Sequence, residues 1–308
     1  MAERAARRAP PPWQLSFVLL GAIWGSSFLF IKVADEAFAP LQVTLGRMLI
    51  GTATLGSILV VRRERLPTGV RTWGHLAFAA VLLNAAPFTL FAWGETRVPS
   101  AVAGIWNATT PLLTLLVAVV ALPDERPTRP KIGGLCVGFA GVLLVLAPWR
   151  GLGGPELLGN LACLGAAACY GAGFPYLRRF LSGTPVSTVS LSAGQLLAGS
   201  VELAIVTPLV TAAPARLPGR SIASVCALGV LCTGLAYVLN YQLIRSAGAT
   251  TASTVTYLIP VFATVFGVLL LGERLSWNQP VGALIIVSGI AVSQNLLGRR
   301  RRVPAADA

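Results

Sequence analysis

An apolar segment long enough to cross a bilayer occurs twice in this chain, and that duplication limits the possible folds more than any other feature. The second copy covers residues 249–273 (ATTASTVTYLIPVFATVFGVLLLGE) and the first covers residues 100–125. Pro260 of the second copy aligns with Pro111 of the first, and the match continues in both directions. The chain is therefore predicted to be two copies of one unit of about 150 residues.

Ten apolar runs of spanning length divide the sequence. Apolar residues make up 55% of the chain and charged residues 11%, whereas about 25% of the residues of a soluble protein are charged. Apart from closed barrels, only helices satisfy their own backbone polar groups across a hydrocarbon core about 30 Å thick. We therefore predict an all-α integral membrane protein with ten transmembrane helices, which cover roughly residues 14–34, 40–61, 73–95, 99–121, 130–148, 156–178, 186–211, 220–244, 249–271 and 278–297.

The basic residues indicate how the helices are oriented. Most of the 24 Lys and Arg residues lie in the N-terminal tail (1–13), in the C-terminal tail (298–308) and in the links that follow even-numbered spans. Because Lys and Arg concentrate in cytoplasmic loops, both termini are predicted to be cytoplasmic. Each repeat, 14–148 and 156–297, holds five spans, and an odd number makes the second copy enter the membrane from the opposite face. Such inverted repeats are typical of transporters with a substrate site near the midplane.

The net charge of +13 does not indicate a nucleic-acid partner, because the basic residues lie between the spans and at the two ends. The five cysteines lie within apolar spans and form no Cys-x-x-Cys pair, so the sequence gives little support for a disulfide or a metal site. We also expect no cofactor, and no segment resembles a nucleotide-binding loop.

Several short motifs resemble those of EamA-type members of the drug/metabolite transporter superfamily. They are Trp24-Gly25-Ser26-Ser27, Pro40 with Arg47, and the small-residue start, mid-helix Pro and terminal Gly-Glu-Arg of 249–274. The resemblance covers residues 14–297 and implies an inner-membrane carrier, in most members an exporter of amino acids, metabolites or drugs. It also implies a central cavity lined by the first four helices of each repeat. We expect a small-molecule transporter that works by alternating access, as a monomer or homodimer.

Ionisable side chains inside the spans are functional candidates because each costs about 2.5–3.5 kcal/mol to insert. Arg47 and Glu202 are expected at similar depths, about 10–14 Å below the outer surface. One hypothesis places both at the cavity, where Arg47 attracts an anionic group and Glu202 accepts a substrate amine or the proton that drives transport. The alternative is a structural ion pair. Lys32 and His75 are expected to reach the headgroups, and Glu273 to be a solvated charge or part of a gating salt bridge.

Polar and aromatic residues near the middle of the spans complete the predicted cavity. Trp24 and its repeat mate Tyr170 lie away from the membrane interfaces where such residues concentrate. The other predicted lining residues are Ser26, Ser27, Asn84, Trp106, Asn107, Thr233, Asn240, Tyr241, Thr256 and Tyr257. The alternative for each is helix packing or an interhelical hydrogen bond of about 0.6 kcal/mol. Pro111 and Pro260, at matched depths, are predicted to be hinges or fixed bends.

Two other classes of function fit the sequence less well. An intramembrane enzyme that acts on lipid needs a nucleophile with a base, or two acids at one depth, and the chain offers one His and one deeply placed carboxyl group, Glu202. A non-transporting membrane scaffold has no need of polar residues at matched positions in the bilayer centre. Both remain alternatives to transport at this point.

Overall fold

The computed structural model describes residues 13–121, 128–147, 154–181, 184, 186–247 and 254–293, and all regular structure within these ranges is helical. Seven helical segments are long and apolar enough to cross a membrane, and two shorter apolar helices cover 132–145 and 259–271. The prediction of an all-α, multi-pass membrane protein is confirmed. The count of ten spans and the inverted arrangement stay predictions, and most of both terminal tails lies outside the described residues.

The described residues of the first half form seven α-helices. They are α1 (Trp13–Ala34), α2 (Pro40–Arg62), α3 (Val70–Ala80), α4 (Ala86–Glu95), α5 (Ser100–Asn107), α6 (Thr110–Ala121) and α7 (Arg129–Leu146). The second half contains α8 (Gly154–Phe180), α9 (Thr188–Val210), α10 (Gly219–Gly229), α11 (Ala236–Ala247), α12 (Ile259–Leu271) and α13 (Asn278–Ser293). The halves interlock, because α1 packs against α10, α11 and α12, and α2 packs against α9 and α10.

Two π-helical segments interrupt the third and eighth predicted spans at corresponding points of the two repeats. The first, π1 (Val81–Ala85), joins α3 to α4, and the second, π2 (Val230–Leu235), joins α10 to α11. Within π2 the hydroxyl of Thr233 donates to the backbone oxygen of Leu228, 2.9 Å away. A π segment widens one helical turn and is frequently found at functional sites. A functional site is therefore expected next to both segments.

The fourth predicted span is broken in the middle. Helix α5 ends at Asn107 and α6 begins at Thr110, with Pro111 in the first turn of the new helix. Pro260 likewise lies in the first turn of α12, after a short 3₁₀ turn at Thr254–Tyr257. A proline at this position leaves no helical hydrogen bond unmade. The two prolines therefore begin helices after a break, and their role as hinges stays a prediction.

The links between helices mark the two ends of the bundle. One end, called the Asp35 side, gathers the links 35–39, 96–99, 211–218 and 272–277. There Glu36 forms a salt bridge with Arg220. At the opposite end, called the Glu64 side, the carboxylate of Glu64 accepts a hydrogen bond from Ser187. The distribution of basic residues predicts that the Asp35 side is the outer face.

Helices α7 and α13 pack closely together at small residues. A Cβ added to Gly141 would lie 2.8 Å from the backbone oxygen of Gly282, and one added to Gly289 would lie 2.4 Å from the backbone nitrogen of Gly138. Such small-residue contacts let two membrane helices approach closely. None of the described residues of these two helices lines the cavity described in the next subsection.

Candidate functional site

A cavity of about 410 Å³ lies between the two halves of the bundle. Its aromatic walls are Trp24, Phe28, Phe88, Phe91, Tyr170, Phe174 and Tyr237, and its polar side chains are Ser27, Arg47, Asn107, Thr110, Thr188, Ser192, Gln195, Asn240 and Thr256. Both repeats contribute to both groups. A mostly apolar pocket with a few polar groups is typical of a site for a small organic molecule.

Arg47 is the one charged side chain among the described lining residues. It is 7% exposed, its Nε donates a 2.8 Å hydrogen bond to the hydroxyl of Thr233, and its guanidinium carbon lies 3.8 Å from the centre of the Phe88 ring. A guanidinium has five N–H donors, and the hydrogen bond to Thr233 is the one that Arg47 makes among the described residues. Its other donors can therefore bind an anionic group of a ligand.

Asn84 and Thr233 lie behind the cavity wall. Asn84 is fully buried, donates from Nδ2 to the hydroxyl of Tyr237 at 3.2 Å, and accepts a hydrogen bond from Nε2 of Gln195. Tyr237 and Gln195 both line the cavity. Asn84 and Thr233 were predicted to line the cavity, and each lies in a π segment. Instead of lining the cavity, they form hydrogen bonds that orient residues of its wall.

Sequence reasoning did not identify Gln195 or Tyr237 as site residues. The duplication carried a signal for both, because Gln195 is the repeat mate of Arg47 and Tyr237 the repeat mate of Phe88. Each pair places a polar or aromatic side chain at the same position of the two halves, and all four residues line the cavity.

Apart from Asn84, Thr233 and Glu202, the predicted site residues divide into three groups. Those that line the cavity are Trp24, Ser27, Arg47, Asn107, Tyr170, Asn240 and Thr256. Ser26 and Trp106 lie outside the lining: the Ser26 hydroxyl donates to the backbone oxygen of Ile23 at 2.9 Å, and the fully buried Trp106 donates from Nε1 to Oδ1 of Asn160 at 2.7 Å. The side chains of Tyr241 and Tyr257 lie outside the described part of the structure.

Glu202 lies on α9, two helical turns beyond Gln195 towards the Asp35 side, and is not among the lining residues. Its Oε2 is buried and has no hydrogen-bond partner among the described residues. Arg47 binds Thr233 and Phe88 instead, so these residues form no Arg47–Glu202 ion pair. Of the two interpretations that the sequence left open, the structural ion pair is therefore not the one found among the described residues.

A cluster of charged groups lies at the Asp35 side of the cavity. The ammonium of Lys32 does not reach towards the headgroups as expected, but donates to the backbone oxygens of Glu95 and, at 3.1 Å, Val98. The carboxyl groups of Asp35 and Glu95 are buried and have no hydrogen-bond partner among the described residues. Burial raises the pKa of Asp35, in the link after α1, to about 8, although the Lys32 charge opposes that shift.

The side chains of Glu273 and His75 also form hydrogen bonds within the protein. Glu273 Oε1 accepts from the backbone nitrogen (2.7 Å) and hydroxyl (2.5 Å) of Ser100, and Oε2 accepts from the backbone nitrogen of Ala101 at 3.1 Å. Its carboxylate thus caps α5, rather than standing in solvent. His75 Nδ1 lies 2.7 Å from the hydroxyl of Tyr176, which ties the side chain to α8 near the Glu64 side.

The chain is similar over most of its length to known transporters. The model of the EamA-like transporter family matches residues 11–147 and 157–294. The S-adenosylmethionine/S-adenosylhomocysteine transporter of Chlamydia trachomatis serovar L2 is 31% identical, over 89% of this chain and 85% of that protein. A "Probable terminal-alkyne amino-acid exporter" of Streptantibioticus cattleyicolor is 29% identical, over 94% of this chain and 95% of that protein. A solved structure described as "Crystal structure of protein" is 25% identical with a TM-score of 0.66, and covers 94% of this chain and 98% of its own.

Proposed function

The chain belongs to the EamA-like transporter family, and on that premise we propose that it exports small solutes that carry an α-amino-acid group. Its family and relatives are transporters rather than enzymes. One observation carries the choice of substrate class: the cavity holds a single described cation, Arg47, within aromatic and apolar walls. The names of two relatives, which mention S-adenosylmethionine and an amino acid, agree with this class, because S-adenosylmethionine carries an α-amino-acid group.

The cavity has a chemical partner for each part of such a solute. The carboxylate binds the free donors of Arg47, and a hydrogen bond to a charged group contributes about 1.5–3 kcal/mol. The ammonium lies against the faces of Trp24 and Tyr170, where cation–π attraction favours it. The remaining apolar part packs between Phe88 and Phe174. The cavity volume, about 410 Å³, suits an amino acid or a somewhat larger solute.

The shape of the lining supports loading from the cytoplasm. The lining extends to Thr188, at the first turn of α9 on the Glu64 side, and ends at the other side near Ile31 and Phe91. The distribution of basic residues supports a cytoplasmic position for the Glu64 side and for both termini, and membership of the family supports a location in the inner membrane. In alternating access the two halves rock about this cavity, with the helix starts at Pro111 and Pro260 as the hinges.

A proton gradient is the drive that fits an exporter of this kind. Two carboxyl groups are candidates to carry the proton, one half-buried and one fully buried. Glu202 on α9 is the one indicated by the sequence, and its Oε2 lacks a hydrogen-bond partner among the described residues. Glu95, at the end of α4, is the second candidate and is taken up below.

Substrate class is tested in proteoliposomes with labelled phenylalanine and methionine and with the amines that lack their carboxylates. Wild type should transport the amino acids at least about tenfold faster than the amines, since one charged hydrogen bond is worth 1.5–3 kcal/mol. Arg47→Gln should abolish that preference, and ligand-dependent quenching of tryptophan fluorescence, to which Trp24 in the cavity contributes, should show weaker binding of the amino acids. Arg97→Gln is the matched control, because Arg97 stacks on Trp93 at 3.6 Å outside the cavity. An unchanged preference in Arg47→Gln would reject the proposed substrate class.

A further inference from the structure

Glu95 is the most completely buried carboxyl group among the described residues with no partner. It ends α4 with 0% of its surface exposed, and both side-chain oxygens lack a hydrogen-bond partner in the described part of the chain. Asp35, in the link after α1, shares this state, since both its carboxyl oxygens are buried and unpaired there too. A buried carboxylate without a hydrogen-bond donor costs free energy, and binding of a proton by the pair removes part of that cost.

The cluster lies directly beyond the end of the cavity on the Asp35 side. Lys32 follows the lining residue Ile31 directly, and Glu95 follows the lining residue Phe91 by four positions. Four residues make about one turn of helix, which is about 5.4 Å long. The rings of Phe28 and Phe91 touch edge to face, with centroids 5.4 Å apart. Ile31 and this aromatic pair therefore form the end of the cavity nearest to the carboxyl groups.

The charges of the cluster balance only when it binds a proton. Asp35 and Glu95 supply two carboxyl groups, and Lys32 supplies one ammonium, which donates to backbone oxygens rather than to either carboxylate. The other charged or titratable groups that act on this site are Arg47 on α2, Cys163 on α8 and Glu273 after α12. Of these, Glu273 is already engaged at the start of α5, and Arg47 lies at the cavity.

We propose that Glu95, together with Asp35, is the proton-binding site that couples transport to a proton gradient. This inference rests on the proposed function. While the Asp35 side is open, water from the outer face reaches the carboxyl groups, which have lost their proton to the cytoplasm in the previous cycle. The side closes to the dry arrangement seen here once the pair has taken up a proton from the outer face. The proton then leaves past Phe28 and Phe91 into the cavity and the cytoplasm, so that one proton enters for each solute exported.

A metal ion fits this place less well than a proton. A monovalent or divalent cation needs several oxygen ligands at once, and here the ammonium of Lys32 already occupies the backbone oxygens of Glu95 and Val98. Among the described residues, no group of three or more His, Cys, Asp or Glu side chains is arranged to hold a metal. A carboxyl pair beside a fixed ammonium binds a proton without any further ligand.

The test uses proteoliposomes that contain wild type, Glu95→Gln, Asp35→Asn, Glu202→Gln or Glu36→Gln. Two assays distinguish loss of proton coupling from loss of solute transport. Exchange of labelled phenylalanine at equal pH needs no net proton movement, whereas accumulation against a gradient does. Glu95→Gln should keep most of its exchange rate and lose accumulation by at least about tenfold, together with solute-dependent proton movement reported by a pH-sensitive dye. Glu36→Gln is the matched control, because Glu36 is exposed and paired with Arg220 on the same side. Glu95→Asp, which keeps the carboxyl group, should recover part of the accumulation.

Four outcomes would overturn the inference. Wild-type accumulation in Glu95→Gln would exclude Glu95, and loss of accumulation in Glu202→Gln alone would assign the proton to α9. Equal loss of exchange and accumulation in both Glu95→Gln and Glu95→Asp would make Glu95 structural. If wild type exchanges no amino acid, the proposed substrate class fails, and infrared difference spectra then decide on the proton site. A carboxylic-acid carbonyl band at neutral pH that is lost in Glu95→Gln but not in Glu36→Gln would support it, and a spectrum without that band would overturn it.

Discussion

Arg47 of the first half donates a 2.8 Å hydrogen bond to the hydroxyl of Thr233 in the second half. The π segment makes this geometry possible. The Thr233 hydroxyl donates to Leu228, five residues back, whereas in a regular α-helix it would reach the residue four back. A neutral hydroxyl and the ring of Phe88 therefore hold the cation, and its charge remains available to a ligand.

Replacing Thr233 by Val should weaken both stability and substrate binding. The change removes the acceptor of a charged hydrogen bond, which is worth about 1.5–3 kcal/mol when buried. The KM for an amino acid should rise about tenfold as Arg47 loses its orientation, and the unfolding temperature in detergent should fall. Thr233→Ser, which keeps the hydroxyl, should restore both. An unchanged KM in Thr233→Val would show that Phe88 alone positions Arg47.

Gly25→Ala should destabilise the contact between α1 and α12. An added Cβ would lie 2.4 Å from the Cβ of Phe262 and 3.1 Å from the backbone oxygen of Ile259. Overpacking of this kind costs about 1–3 kcal/mol. Gly56→Ala on α2 is the matched control, because nothing lies within 4 Å of its added Cβ, and there helix propensity should stabilise the protein by about 0.5–1 kcal/mol. Thermal unfolding in detergent measures both, and equal effects would contradict the packing argument.

Glu273→Gln should loosen the start of α5. The carboxylate accepts three hydrogen bonds from Ser100 and Ala101, and negative charge at a helix start contributes about 0.3–1 kcal/mol in addition. The amide keeps one oxygen acceptor and places a donor against the helix start. We expect a lower unfolding temperature and faster hydrogen exchange at the first amides of α5. The exposed neighbour Arg274 supplies the control, since Arg274→Gln should leave both measurements unchanged.

Asp35→Asn should alter how stability depends on pH. Burial raises the pKa of Asp35 from 3.8 to about 8, so the folded state binds a proton that the unfolded state releases over this interval. The free energy of unfolding contributed by Asp35 is fully present below pH 3.8 and falls as pH rises from 3.8 to about 8. In Asp35→Asn the unfolding temperature should therefore decrease less than in wild type as the pH rises over this interval. Glu36→Gln should keep the wild-type slope, and an unchanged slope in Asp35→Asn would show that Asp35 is ionised when folded.

The apolar runs and the duplication predicted most helices to within a few residues. The span predicted over 186–211, for instance, is the helix Thr188–Val210, because length and hydropathy are properties of a local stretch of chain. The two π segments were not predicted, since the residues of Val81–Ala85 and Val230–Leu235 also suit an α-helix. Residues of the widened turn make contacts with distant helices, such as the hydrogen bond from Arg47 to Thr233, and the local sequence carries no record of them.

Part of the candidate site was also predicted, because some of its residues stand out in their local stretch of sequence. Trp24 and Tyr170 were identified because an aromatic residue in mid-span stands out in a sequence, and both line the cavity. Trp106 stands out equally, yet it is fully buried and bound to Asn160. Glu95 was overlooked because it lies where a span ends, and a carboxyl group at that point usually meets water. Its burial depends on how α1, α5 and α8 pack around the end of α4.

The sequence by itself determined that this chain is a helical membrane protein of duplicated design, because hydropathy and internal repeats need no knowledge of distant contacts. It also marked Arg47 and Glu202 as costly charges inside the membrane. Only the tertiary structure decided that Arg47 faces the cavity with Thr233, that Glu202 does not line it, and that Glu95 and Asp35 lie buried beside Lys32. Which way a side chain faces, and whether water reaches it, depends on the helices packed against it, and those come from distant parts of the chain.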